Sequence, residues 1–93
     1  MNIRRKSLAK SHSFGAKFQG ARVALRFEIP AAASVKFSLV DMQGRVVKTA
    51  DLGQRAAGSY FETLDAMDLA RGRYIGILQI GGKAVEKVVL FKR

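Results

Sequence analysis

Arg73-Tyr74-Ile75-Gly76-Ile77-Leu78-Gln79-Ile80-Gly81-Gly82-Lys83-Ala84-Val85-Glu86-Lys87-Val88-Val89-Leu90-Phe91-Lys92 reads as two strands joined by a tight turn. Tyr74, Gly76, Leu78 and Ile80 fall on one side of a period-two pattern, and Ile75, Ile77 and Gln79 on the other. A strand apolar on both sides belongs in the middle of a sheet. Gly81-Gly82 supplies the residues that a two-residue hairpin needs. From Ala84 to Lys92, Val85, Val89 and Phe91 stand opposite Glu86, Val88 and Leu90, with Lys87 intruding on the first set.

The same period continues upstream. Val23, Leu25, Phe27 and Ile29 alternate with Ala24, Arg26 and Glu28 until Pro30, which has no N–H for a ladder and ends the strand. After a link at Ala31 to Ala33, Val35, Phe37 and Leu39 alternate with Lys36 and Ser38 as far as Asp41-Met42-Gln43-Gly44. That glycine suits a hairpin, and Arg45 to Ala50 is the returning strand. Gly53 and Gly58 bracket a polar connection. Tyr60, Glu62 and Leu64 then share one face and Phe61 and Thr63 the other. Glu62 leaves open which face points inward, because a one-residue slip exchanges them. Asp65 to Leu69 is a short corner whose aspartates bond nearby amides, and Gly72 allows a sharp turn into the Tyr74 strand. No segment holds helical periodicity. The expectation is an all-β, antiparallel, immunoglobulin-like sandwich of six to seven short strands.

Ninety-three residues make one domain, which at this size buries only about 60% of the surface its unfolded chain exposes. The net charge of +10 is uneven. Arg4, Arg5, Lys6, Lys10 and Lys17 stand in residues 1–20 without an acid, so this segment reads as a basic, partly disordered tail or linker before a sandwich at residues 21–93. No aromatic stacking platform is interleaved with the tail bases, which favours a solvated segment over a nucleic-acid arm. Ser7 to Gln19 has no apolar run to act as a signal-peptide core, and no stretch reaches the roughly 18 apolar residues of a membrane span.

The inventory argues against an enzyme. There is no cysteine, and the only histidine, His12, lies in the basic tail and reads as an exposed residue, which argues against a histidine-dependent triad and a multi-histidine metal site. Asp65 and Asp68, with Glu62, lack calcium-loop spacing and read as corner and capping groups. The glycines precede no helix and form no phosphate cradle. No cofactor or metal is expected. Tyr60, Phe61 and Tyr74 are the candidates for a sugar platform, although alternation sends Tyr74 to the core.

Taken in order, Arg26-Phe27-Glu28-Ile29-Pro30, Val40-Asp41-Met42-Gln43-Gly44-Arg45-Val46-Val47, Ala57-Gly58-Ser59-Tyr60, Leu69-Ala70-Arg71-Gly72-Arg73-Tyr74 and Lys87-Val88-Val89-Leu90-Phe91-Lys92 resemble a type IX secretion C-terminal sorting domain over residues 21–93. Members carry Pro-Asn-Pro before the first strand, where this chain has Phe14 to Gly20. The resemblance implies an immunoglobulin-like module at the end of a larger secreted protein of a Gram-negative bacterium. It would pass through the periplasm to the cell surface, read by an outer-membrane translocon and in many members removed by a sortase-like enzyme. It also implies recognition positions at Gly44, Arg45, Gly72, Tyr74, Lys87 and Lys92, a monomer, and a last strand presented for docking. Flagellar hook-capping proteins and extracellular modules of cell-wall enzymes share the fold pattern. The competing readings are an accessory module for cell-wall or plant polysaccharide, and a basic nucleic-acid binder acting through Arg4, Arg5 and Lys6.

Overall fold

Alternating side chains bury one face of a strand only when a second sheet covers it, and two sheets do so here. The computed structural model describes residues 14–93. Within them lie seven strands: β1 (Phe14–Gln19), β2 (Arg22–Ile29), β3 (Ala33–Asp41), β4 (Val46–Arg55), β5 (Gly58–Asp65), β6 (Gly72–Ile80) and β7 (Lys83–Lys92). All pairings are antiparallel. One sheet has the order β1-β2-β5 and the other β4-β3-β6-β7. This is the two-sheet, all-β sandwich expected from the sequence. No helix among the described residues is long and apolar enough to cross a membrane.

The core takes one alternating set of residues from each of four strands. Val23, Leu25, Phe27 and Ile29 of β2 face Val35, Phe37 and Leu39 of β3, Tyr74 and Leu78 of β6, and Leu90 of β7, all buried. Each large apolar side chain so enclosed contributes about 1.5–3 kcal/mol. Gly76 is the inward β6 residue without a side chain, and Phe37 fills its place. A Cβ there would lie 2.9 Å from Phe37 Cζ and 3.0 Å from Leu90 Cδ1. Gly81 and Gly82, at φ +63° and +85°, turn β6 back into β7 with the twist of a two-residue hairpin.

Two expectations change, and a third point, left open by the sequence, is decided. The boundary at residue 20 gives way, because Phe14–Gln19 pairs with Phe27–Arg22 as β1 and sends Phe14, Ala16 and Phe18 onto the core. Lys17 and Gln19 occupy the solvent side of that strand, which is how a basic stretch belongs to the sheet. Residues 1–13, with His12 and the other tail bases, lie outside the described residues. The second change is at Gly53, which is not in a connection. At φ +77° it sits in a bulge where Leu52 is the extra residue, so β4 runs on to Arg55 and only Ala56 and Ala57 separate it from β5. A second bulge at Val47 turns that residue inward.

The third concerns the face of β5 left open above. Tyr60, Glu62 and Leu64 point inward and Phe61 outward, 64% exposed. Glu62 sits there because Arg55 meets it from the opposite sheet, Nη2 to Oε2 at 2.9 Å, while the guanidinium lies 5.1 Å from the Tyr60 ring centre. An inward carboxylate needs such a partner.

Candidate functional site

Five of the six residues marked by resemblance gather at one end of the four-stranded sheet. Register pairs Asp41 with Tyr74, Tyr74 with Leu90 and Gly72 with Lys92, which brings the β3–β4 hairpin, the start of β6 and the close of β7 side by side. In the hairpin Gly44 takes φ +88°, and Arg45 is fixed by Asp41, whose Oδ1 accepts the Arg45 N–H at 3.0 Å and the Gln43 N–H at 2.9 Å. The Arg45 Nε meets Oδ2 at 3.1 Å. These donors, the Arg45 N–H first and then that of Gln43 and the guanidinium, hold the Asp41 carboxyl below its ordinary value against a smaller opposing effect of burial.

Tyr74 and Lys92 serve the corner between β5 and β6. The Tyr74 hydroxyl donates to the Ala70 carbonyl at 2.6 Å, and its ring packs 5.8 Å from that of Phe18. Lys92 Nζ donates to the carbonyls of Ala66 at 2.9 Å and Leu69 at 2.6 Å. Asp65 caps the same corner by accepting the Met67 N–H at 3.0 Å. Gly72, at φ +147°, opens β6 where Lys92 lies across from it. Tyr74 and Lys92 therefore fasten the corner rather than face solvent with free polar groups.

Lys87 stands apart, five residues back along β7, or roughly 17 Å at strand rise. It is exposed and opposite Ile77. Its neighbours on the outer side of β7, Val89 and Phe91, are 53% and 58% exposed, and Arg73 lies over the Phe91 ring at 5.3 Å. Register continues this apolar surface across the whole sheet as Val46, Val40, Ile75 and Val89. Sequence reasoning missed the row because it depends on four strands being aligned; the one signal for it was that the Tyr74 strand, Ile75 included, is apolar on both sides.

Among the described residues β7 pairs only with β6, so its other edge is open. Next to that edge is β1, the edge of the other sheet. A groove of about 440 Å³ between them is lined by Ala16, Phe18, Val89 and Leu90, with Lys17 and Arg93 among the remaining lining residues. The opposite side of the sandwich is closed differently, by Arg55 to Glu62 at 2.9 Å and Lys48 to Asp68 at 3.3 Å.

The structure does not assemble a sugar platform from Tyr60, Phe61 and Tyr74. Tyr60 stacks on Phe27 at 5.4 Å and donates its hydroxyl to the Ala56 carbonyl, Tyr74 is in the core, and Phe61 stands alone on the outside. No group of three or more potential metal ligands occurs among the described residues.

With this geometry in hand, comparison with protein families gives a match to the FlgD Ig-like domain over residues 11–75, more than half of the chain. The chain belongs to that family. As a FlgD Ig-like domain it has the immunoglobulin-like sandwich that alternation suggested, and the match begins before β1, in agreement with the strand found there. It ends within β6, so β7 lies beyond the matched region. No curated protein matches. Among solved structures, the domain is similar to the alkylpurine DNA glycosylase AlkC of Pseudomonas fluorescens, solved bound to DNA containing an abasic site analog. The TM-score is 0.59 and the identity 18%, over 84% of this chain and 28% of that one. It also matches a protein described as a beta-galactosidase from Bacteroides fragilis, with a TM-score of 0.39 and 20% identity, over 84% of this chain and 15% of that one. The chain thus spans under a third of either structure, and the likeness to AlkC is one of fold.

Proposed function

We propose that this FlgD Ig-like domain is a non-enzymatic sorting module, recognised through β7 by the outer-membrane machinery of type IX secretion and carried with its cargo through the periplasm to the cell surface. One observation carries the reading: β7 is rooted in the core by Leu90, 2% exposed, yet leaves its outer side and one full edge uncovered among the described residues. A strand held in this way can be bound without unfolding the domain, with backbone bonds giving affinity and alternate side chains giving selectivity. The ordered resemblance from Arg26 to Lys92 supports the same role, and processing by a sortase-like enzyme goes with it.

The test fuses the full chain to the C-terminus of a reporter that has a signal peptide, in a host with type IX secretion. Removing residues 87–93 would extract Leu90 and the Lys92 contacts and unfold the domain, so point changes are the better probe. Val89→Asp and Phe91→Asp lie on exposed positions, and folding of each variant is checked by circular dichroism. The native fusion is expected at the surface and the variants in the periplasm. A native fusion that stays in the periplasm, or folded variants that are exported as well as the native one, overturns the proposal.

A further inference from the structure

We infer that the occupant of the β7 edge is an extended strand of a partner protein with a defined pattern: an acidic residue opposite Lys87, apolar residues opposite Val89 and Phe91, and a bulky apolar residue turned into the groove between β7 and β1. The inference rests on the reading of β7 as the recognised edge, and adds what recognises it.

Of the two edges of the four-stranded sheet, β7 is the better template. Edge strand β4 is broken by two bulges, at Val47 and Leu52, whereas β7 has one, at Val85, the extra residue between Ala84 and Glu86, and is regular from Lys87 to Lys92. Regular pairing groups are what an added strand requires. Cross-strand neighbours then set the chemistry of the added residues. On the outer side the newcomer meets Lys87, Val89 and Phe91 in turn. On the inner side its alternate residue meets Leu90 above a groove walled by Ala16 and Phe18, with room for one large apolar side chain.

Charge selects the partner. On the β4 and β5 side one ion pair joins the sheets and a second ties β4 to the corner after β5, but Lys17, Lys87 and Arg93 take part in no ion pair among the described residues, and no Asp or Glu lines the groove. The nearest acid on β7 is Glu86, half-buried and on the other side of the strand from Lys87. An acidic strand supplies the missing charge. A second copy of this chain, at +10, is the poorer occupant.

Two fluorescent synthetic strands test this with the full chain. In the first, two valines flank a leucine and an aspartate follows two places on; in the second, lysine replaces the aspartate. The aspartate strand is expected to bind at least about five-fold more tightly, since the change turns a cross-strand attraction into a repulsion. Lys87→Glu reverses the preference, and Phe61→Ser, on the other sheet, leaves it intact. Amide resonances of Lys87 to Phe91 and Ala16 to Phe18 should shift on binding. Equal binding of both strands, no binding, shifts confined to other residues, or a concentration-dependent dimer that covers β7 overturns the inference. Strand binding without reporter export counts against the sorting role alone; export without the charge preference counts against this inference alone.

Discussion

The ammonium of Lys92 donates to the carbonyl of Leu69 at 2.6 Å, tying the corner between β5 and β6 to a residue 23 positions further along the chain. The same ammonium also reaches Ala66, a fully buried residue whose N–H donates to the Ala21 carbonyl at 2.8 Å. One side chain of β7 thereby secures the corner that leaves β5 and leads into β6.

Lys92→Met keeps most of the side-chain volume and removes the donor. Two carbonyls then lose a charged partner, at a cost of about 1–3 kcal/mol. Urea unfolding should show a lower midpoint with an unchanged slope. A change near zero would mean that water replaces the ammonium without loss.

Gly76→Ala places a methyl 2.9 Å from Phe37 Cζ, in a core with no room for it. The expected destabilisation is about 1–3 kcal/mol. Phe37→Leu withdraws the ring, so in the double variant the alanine should cost clearly less than it does alone. Additive costs in that double-mutant cycle would contradict the packing described.

Asp41 gives the chain a pH-dependent term whose sign follows from its lowered folded-state pKa. The contribution is fully present above the unfolded value, near 3.8, and is lost as pH falls through that value toward the folded one. Asp41→Asn should therefore be less stable than the native chain at neutral pH, with the gap narrowing as the solution is acidified below 3.8. Denaturant midpoints for both proteins across that range provide the check, and a gap independent of pH would remove the carboxylate from the account.

A chain that starts at residue 21 lacks β1 and uncovers the β2 edge together with the contacts of Phe14 to Phe37 and Phe18 to Tyr74. It should unfold or aggregate, whereas a chain that starts at residue 14 keeps every strand seen here. Phe18→Ala in the full chain measures part of the same effect, at about 1–3 kcal/mol for a half-buried aromatic. A stable, monomeric protein from residue 21 would restore the boundary read from composition.

Alternation made most of the sandwich legible. Val23 to Ile29 and Val35 to Leu39 announced both their strands and their buried faces, and Tyr74 to Ile80 its strand and its central place, because the side-chain period of a strand is two whatever surrounds it. Turn residues were legible for the same local reason: Gly44 and Gly81-Gly82 have the backbone freedom that tight hairpins demand. β1 was harder to see. Its inward Phe14, Ala16 and Phe18 are separated by Gly15 and Lys17, and a segment with such a charge balance looked like a tail until β2 was there to receive it. Gly53 misled in the opposite direction, since the residue that ends many strands here makes a bulge within one.

The sequence by itself determined the strand class, the hairpins, the alternating sets from which the core is drawn and a composition with no cysteine and one histidine, all of which follow from local geometry and from which side chains exist. Tertiary structure decided the rest: that Glu62 faces inward because Arg55 reaches it from the other sheet, that Lys92 is spent on the corner carbonyls, and that Lys87, Val89 and Phe91 line an open edge. Those outcomes depend on partners tens of residues away or on a different strand. No local pattern encodes them, because a side chain's role there is set by what the opposing sheet brings within hydrogen-bonding or contact distance.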